Sequence, residues 1–269
     1  MEMLEAGVHF GHKKERSHPR AKDFIFTLRE GVYVIDLDKT QEDLQIALEF
    51  LRKQVTLGKN ILFVGTKRQA KEITQRVAEK TGMPYITKHF LGGTLTNFET
   101  IRKNIIQMEE LEAKILTPEY AALTKKEKKI INDKREKLLS VFGGVRGMKN
   151  LPDALFIIDG NKEKLAVTEA NRMGIPVVAI IDTDANPDTI NYPIPANDDA
   201  SKSLTLLMDV VEKEMVKASG AGDKAAVVEE KAEVKAEIVE ENKTVEKSDK
   251  KTTKTKSTKK PARVAGEEK

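Results

Sequence analysis

His89-Phe90-Leu91-Gly92-Gly93-Thr94-Leu95-Thr96-Asn97-Phe98 joins two unlike kinds of sequence, and its reading decides the fold. Upstream, short β-branched runs alternate with segments whose apolar residues recur every three or four positions, the pattern of strands alternating with helices. Downstream, Phe98, Ile101, Ile105, Met108, Leu111 and Ile115 keep a helical period with Glu and Lys between them. A second glycine pair, Gly143-Gly144, closes this charged stretch before strand character resumes at Ala154-Leu155-Phe156-Ile157-Ile158. Paired glycines permit sharp exits. Two helical runs lie between the pairs, broken near Leu116-Thr117-Pro118-Glu119, and the second opens with the capping-box spacing Thr124-Lys125-Lys126-Glu127. The pattern predicts a coiled-coil hairpin over 97–143, inserted in an α/β domain built from 1–96 and 144–217. Arms of about 20 residues would reach roughly 30 Å, too long for an ordinary crossover.

Outward from the joint toward the N-terminus, Pro84-Tyr85-Ile86-Thr87 reads as a short strand and Ile61-Leu62-Phe63-Val64 as a buried one. A helix between them runs to Thr81-Gly82. Leu44, Ala47, Leu48, Leu51 and Val55 mark one face of an earlier helix, with Asp38 or Thr40 as its cap and Gly58 at its end. Val32-Tyr33-Val34-Ile35 reads as the first central strand. Toward the C-terminus a helix is expected over 163–172, a strand at Val177-Val178-Ala179-Ile180-Ile181 and a last helix over 198–215. Strands separated by single helices imply a doubly wound, mostly parallel sheet with helices on both faces. The span 218–269 has no aromatic residue and a low-complexity order of Lys, Glu, Ala, Val, Thr and Ser. Such a composition cannot bury enough apolar surface to offset chain entropy, so a disordered tail is expected.

The totals exclude several classes. Among 269 residues there is no Cys, which rules out disulfides, thiolate metal sites and a Cys nucleophile. No apolar run is long enough to cross a membrane, and Met1-Glu2-Met3-Leu4-Glu5 does not resemble a signal peptide, so cytoplasm is the expected location. Charged residues make up 33% of the chain, above the usual quarter, which points to solvated faces or a charged partner.

Loops at the carboxyl ends of strands are where a doubly wound sheet holds ligands. Gly65-Thr66-Lys67-Arg68 follows a strand and opens a helix but lacks the spacing that wraps a nucleotide phosphate chain. Asp36-Leu37-Asp38-Lys39-Thr40 occupies the place of a dinucleotide glycine motif, and no nucleophile elbow occurs. No cofactor is implied. His9, His12 and His18 offer imidazoles to zinc, but an arm gives little rigidity, and contact with phosphate or simple packing is the better account. Asp182-Thr183-Asp184 and Asp198-Asp199 read as turn residues and a helix cap before they read as ligands for a divalent ion.

The cations remain. Over 7–22 the chain carries Lys13, Lys14, Arg16, Arg20 and Lys22 against Glu15 alone, a basic arm expected to lie extended. With Lys67, Arg68, Lys71, Lys88 and His89 they make a candidate RNA-binding surface that needs no catalytic group. Lys125, Lys126, Lys128, Lys129, Lys134, Arg135 and Lys137 are mixed with Glu110, Glu112, Glu127 and Glu136 and read as a helical exterior.

Specific strings carry more than composition does. Leu4-Glu5-Ala6-Gly7-Val8-His9-Phe10-Gly11-His12, Ile61-Leu62-Phe63-Val64-Gly65-Thr66-Lys67-Arg68, Leu91-Gly92-Gly93-Thr94-Leu95-Thr96-Asn97-Phe98, Leu151-Pro152-Asp153-Ala154-Leu155-Phe156 and Ile194-Pro195-Ala196-Asn197-Asp198-Asp199-Ala200 resemble the small-subunit ribosomal protein two family, bacterial or organellar type. The likeness runs from the start to about Lys217. It implies a flavodoxin-like sheet with an inserted coiled-coil hairpin and a structural, non-enzymatic role. It also implies binding to small-subunit ribosomal RNA and neighbouring proteins of the subunit, and help in retaining ribosomal protein one. No membrane and no independent oligomer are implied. Phe90 and Phe98 stand where that family often has Trp, and Glu15 and His18 depart from its usual arm. The competing class is a cytoplasmic α/β enzyme or binding protein that takes an anionic small molecule in the sheet's loops, with the hairpin as an oligomerisation arm.

Overall fold

The computed structural model describes residues 1–219; the expected tail lies, from residue 220 on, outside the described residues. A short helix, α1 (Glu2–Glu5), precedes β1 (Phe10–Lys13), two 3₁₀ turns (Lys14–Arg16 and Pro19–Phe24), β2 (Ile25–Arg29) and β3 (Val32–Ile35). Glu30 and Gly31 both take positive φ, 52° and 80°, as a two-residue hairpin turn requires. That turn makes β2 and β3 antiparallel, and β3 becomes the middle strand of a separate three-stranded sheet ordered β1-β3-β2. The expectation that Val32 to Ile35 is a central strand of the main sheet is therefore corrected. An apolar run of four does not reveal its partners, and here only Ile35 is fully buried. The arm is likewise a strand and two tight turns rather than a simply extended segment.

The main sheet is parallel and five-stranded: β4 (Ile61–Val64), β5 (Tyr85–Ile86), β6 (Ala154–Ile158), β7 (Val177–Ile181) and β8 (Tyr192–Pro195), in the order β5-β4-β6-β7-β8. Sequence reading missed β8, whose Pro193 and Pro195 argue against a central strand. It is an edge strand, where a missing N–H is tolerated. Its link to β7 carries only a 3₁₀ turn, Pro187–Thr189, so the rule of one helix between strands fails there.

Strand residues alternate between the two faces, as a period of two requires. Ile61, Phe63, Phe156, Ile158, Val178 and Ile180 pack on α2 (Leu37–Thr56), α3 (Lys71–Thr81) and α8 (Ser201–Ala218). Leu62, Val64, Leu155, Ile157, Ala179 and Ile181 pack on α7 (Lys164–Met173) and on the inner faces of α4 (Phe98–Ile115) and α6 (Lys125–Phe142). Parallel strands covered on both faces need uninterrupted apolar runs, which explains why these segments read so clearly.

Between the glycine pairs, α4 and α6 are joined by α5 (Pro118–Ala122), and Thr124 and Glu127 form the expected reciprocal cap of α6. Ile101, Ile105, Met108 and Phe142 belong to the core on that face of the sheet. The two glycine pairs work differently. Gly93 has φ of 90°, a conformation that costs other residues energy. Gly144 instead lies so close to β5 that a Cβ would collide with the Tyr85 carbonyl oxygen. Asp36, not Asp38 or Thr40, caps α2, its Oδ1 accepting from the Asp38 amide at 3.1 Å. Thr40 Oγ1 donates to the Pro195 carbonyl at 2.6 Å and fastens α2 to the edge strand.

Candidate nucleic-acid interface

Because the strands are parallel, the loops after β4, β5, β6, β7 and β8 share one edge of the sheet. The polar side chains gather there. Order of the strands puts the winding switch between β4 and β6, the usual ligand crevice of such sheets. In this chain its own side chains fill that crevice. Thr66 Oγ1 donates to Glu163 Oε1, and Lys67 Nζ lies 2.6 Å from Asp198 Oδ1, 2.5 Å from Asp199 Oδ1 and 3.3 Å from Asp159 Oδ2. Burial alone would pull the Lys67 ammonium toward neutrality. Asp198 and its neighbours more than offset that, raising its pKa and keeping it charged. Burial, together with the Asp159 charge, pushes the Asp198 carboxyl upward.

The arm joins the same cluster. His12 Nδ1 is 3.0 Å from Asp182 Oδ2, and its Nε2 is 3.5 Å from Asp199 Oδ2. The Asp182 carboxylate beside it pushes the imidazole up to about 9, against the opposing effect of burial. Backbone contacts lock the arm to the end of β7: the His12 amide donates to Thr183 Oγ1 at 2.9 Å and the His18 amide to the Thr183 carbonyl at 2.8 Å. Gly11 permits this approach, since a Cβ there would meet Thr183 Cγ2 at 2.8 Å. Burial works against the Asp199 anion, but Lys67, His12 and Arg16 outweigh it and hold that carboxyl below its usual value.

The cations singled out in the sequence divide into two groups. Lys13, Lys14, Arg16 and Lys22 are exposed on the docked arm and make no ion pair among the described residues. Arg20 is exposed, with its Nε 3.3 Å from Asp188 Oδ2. Arg68 is exposed after β4, Lys71 is half-buried at the start of α3, and Lys88 and His89 are exposed after β5. Lys67 is the exception, its charge spent on the internal carboxylates. Sequence reading did not find those partners, which lie 92 to 132 positions away, although an Asp follows each of β6, β7 and β8 closely. His9 stands against Phe10 with ring centroids 4.1 Å apart. Among the described residues no group of three or more His, Cys, Asp and Glu is arranged to hold a metal ion.

The joint is held from α7. Glu169 is buried, and its carboxylate accepts from the amides of Gly93 at 2.6 Å, Leu95 at 2.9 Å and Thr96 at 3.2 Å. Burial raises a carboxyl, but these donors overcome it and leave Glu169 below its ordinary value. No local signal marks Glu169 for this role.

A parallel α/β frame whose ligand crevice is closed by internal ion pairs, with free cations on a docked arm, has the character of a binding component, not of a catalyst. The family model of Ribosomal protein S2 matches residues 3–218. The small ribosomal subunit protein uS2 of Campylobacter curvus is 50% identical over 205 residues, 76% of this chain and 78% of the relative. That of Nitratiruptor sp. is 48% identical over 217 residues, 81% and 80% of the two chains, and that of Corynebacterium urealyticum 48% over 211, 78% of each. The chain belongs to the ribosomal protein S2 family and is a structural ribosomal protein, not an enzyme.

Proposed function

We propose that the chain is a constituent of the small ribosomal subunit that binds small-subunit rRNA through its docked arm and the neighbouring loops, and that it helps retain ribosomal protein one. The observation that carries this reading is the family match over nearly all described residues, with relatives named for the small subunit. The arm supplies the physical support. Four exposed cations that make no ion pair among the described residues, held on a rigid support, lose little conformational freedom when they meet phosphate. Lys67 serves the surface indirectly, by holding Asp199 where His12 can meet it. Arg68, Lys71, Lys88 and His89 extend the surface along the same sheet edge.

In this reading the sheet is flavodoxin-like, its order matching that fold. The span 97–143 acts as a coiled-coil docking arm on the frame 1–96 and 144–217, and 218–269 as a separate tail. The cytoplasm is the working compartment, and the chain acts within the subunit, not as its own oligomer. Gradient sedimentation of a cell lysate tests the proposal. Tagged protein should run with small subunits, and a chain that remains in the soluble fraction at physiological salt would refute it.

A further inference from the structure

A cleft of about 510 Å³ opens between α7 and the β7–β8 link, and the reading above leaves it without a role. Lys164, Thr168, Asn171 and Arg172 line it from one face of α7, and His18 of the arm closes it. Lys164 and Arg172 are exposed and make no ion pair among the described residues. Their backbone positions are about 12 Å apart along the helix. Asn171 Nδ2 donates to the Thr189 carbonyl at 2.9 Å, so its Oδ1 is left to accept from a ligand. His18 Nδ1 accepts from the Arg20 amide at 3.2 Å, which places the proton of the neutral ring on Nε2 and makes that nitrogen a donor. Asp184 is the one opposing charge in the wall, and it takes the Asn161 side chain at 3.0 Å instead of either cation. Val167 is the one apolar residue among those that line the cleft, although most of the lining surface is carbon, so the charged and polar tips rather than the walls set what the cleft selects.

Two free cations, an imidazole, and amide and hydroxyl groups suit a nucleotide strand, with phosphates on Lys164 and Arg172 and a base edge on Asn171 and Thr168. The cavity has the size of a small-ligand site, and only an unstacked nucleotide, not a duplex, can enter such a depression. The Arg20–Asp188 ion pair and the His18–Thr183 hydrogen bond hold the arm against the cleft's rim. We propose that this cleft binds a nucleotide of single-stranded RNA, an inference that rests on the rRNA-binding reading and adds a second contact to it.

The test uses the full chain and a short unstructured RNA oligonucleotide, with an RNA duplex as comparison. K164A/R172A should weaken oligonucleotide binding roughly tenfold at low salt and reduce the salt slope by about 1.4, two phosphates at about 0.7 each for single strands. Duplex binding should stay unchanged, and so should both affinities in K202A/K213A, which removes two exposed lysines of α8. Ultraviolet cross-linking of wild-type protein should place the nucleotide on the peptides carrying His18 or Lys164. Unchanged oligonucleotide affinity in a folded K164A/R172A protein overturns the cleft assignment, as does equal loss for the duplex or for K202A/K213A. Displacement of the oligonucleotide by a polyglutamate peptide at equal charge would assign the cleft to acidic peptides instead. If K13A/K14A/R16A/K22A loses RNA affinity while K164A/R172A does not, the rRNA reading stands and the cleft falls. If wild-type protein binds neither RNA, both fall.

Discussion

Glu169 Oε1, in the middle of α7, lies 2.6 Å from the amide nitrogen of Gly93, so a residue from the second half of the chain fastens the joint between the sheet and the helical insert. Glu169→Ala leaves the Gly93 and Leu95 donors without an acceptor, at a cost of about 3 kcal/mol. In a domain of this size the melting temperature should fall by about 6–12 °C. Glu169→Gln keeps one acceptor and should lose less. Hydrogen exchange at Gly93 and Leu95 checks the mechanism: exchange should quicken there well before it does in β6.

Two groups set opposite pH limits on stability. Glu169 sits below its ordinary value of 4.5 when folded, so its contribution is present above pH 4.5 and disappears as pH falls through the lower, folded value. His12 is raised from 6.5 to about 9, so its contribution is complete below pH 6.5 and is lost as pH rises through 9. The stability gap between wild type and His12→Gln should therefore be widest below pH 6.5, on the order of 3 kcal/mol, and close by about pH 9. Denaturant titrations across that range would measure it. A gap that does not change with pH would remove the His12–Asp182 pair as its cause.

Lys67→Met should cost about 3–5 kcal/mol at pH 7, because it leaves Asp159, Asp198 and Asp199 crowded without their cation. Adding Asp198→Asn should recover part of the loss, since the most buried of the three carboxylates is then neutral. Additive losses in the double variant would show that Lys67 does not act through Asp198.

The insert is not separable at its base. Ile105 is 3% exposed within the core, whereas Ile130 on α6 is 59% exposed. Ile105→Ala should cost about 2–4 kcal/mol and Ile130→Ala under about 0.5 kcal/mol. Excising all of 93–143 should abolish the cooperative transition because Ile101, Met108 and Phe142 leave with it. Replacing 116–123, where α5 has no buried residue, should leave the transition in place. Thermal unfolding followed by circular dichroism distinguishes these outcomes.

What was legible in the sequence follows from locality. The runs at β4, β6 and β7 declare themselves because both of their faces are covered, and the Thr124–Glu127 cap and the Gly82 left-handed end of α3 depend on residues a few positions apart. β8 was hidden by its two prolines, harmless only because the strand lies at an edge. The partners of β3 are not legible because its sequence specifies a strand but not a partner, and the positive φ at Glu30 that shapes the hairpin is unusual outside glycine. At the site, the arm's free cations were readable from composition alone. The internal partners of Lys67, the anchoring of His12 and the clamp by Glu169 were not, because each is made across many tens of residues and exists only once the sheet has formed.

The central claim, that the docked arm binds small-subunit rRNA through its exposed cations, is tested most directly by the affinity of the full chain for that RNA as a function of salt. For K13A/K14A/R16A/K22A, with folding verified by circular dichroism, the slope of log affinity against log salt should fall by about 2.8–3.6 relative to wild type, four contacts at about 0.7–0.9 each. A slope equal to that of the wild type would contradict the account.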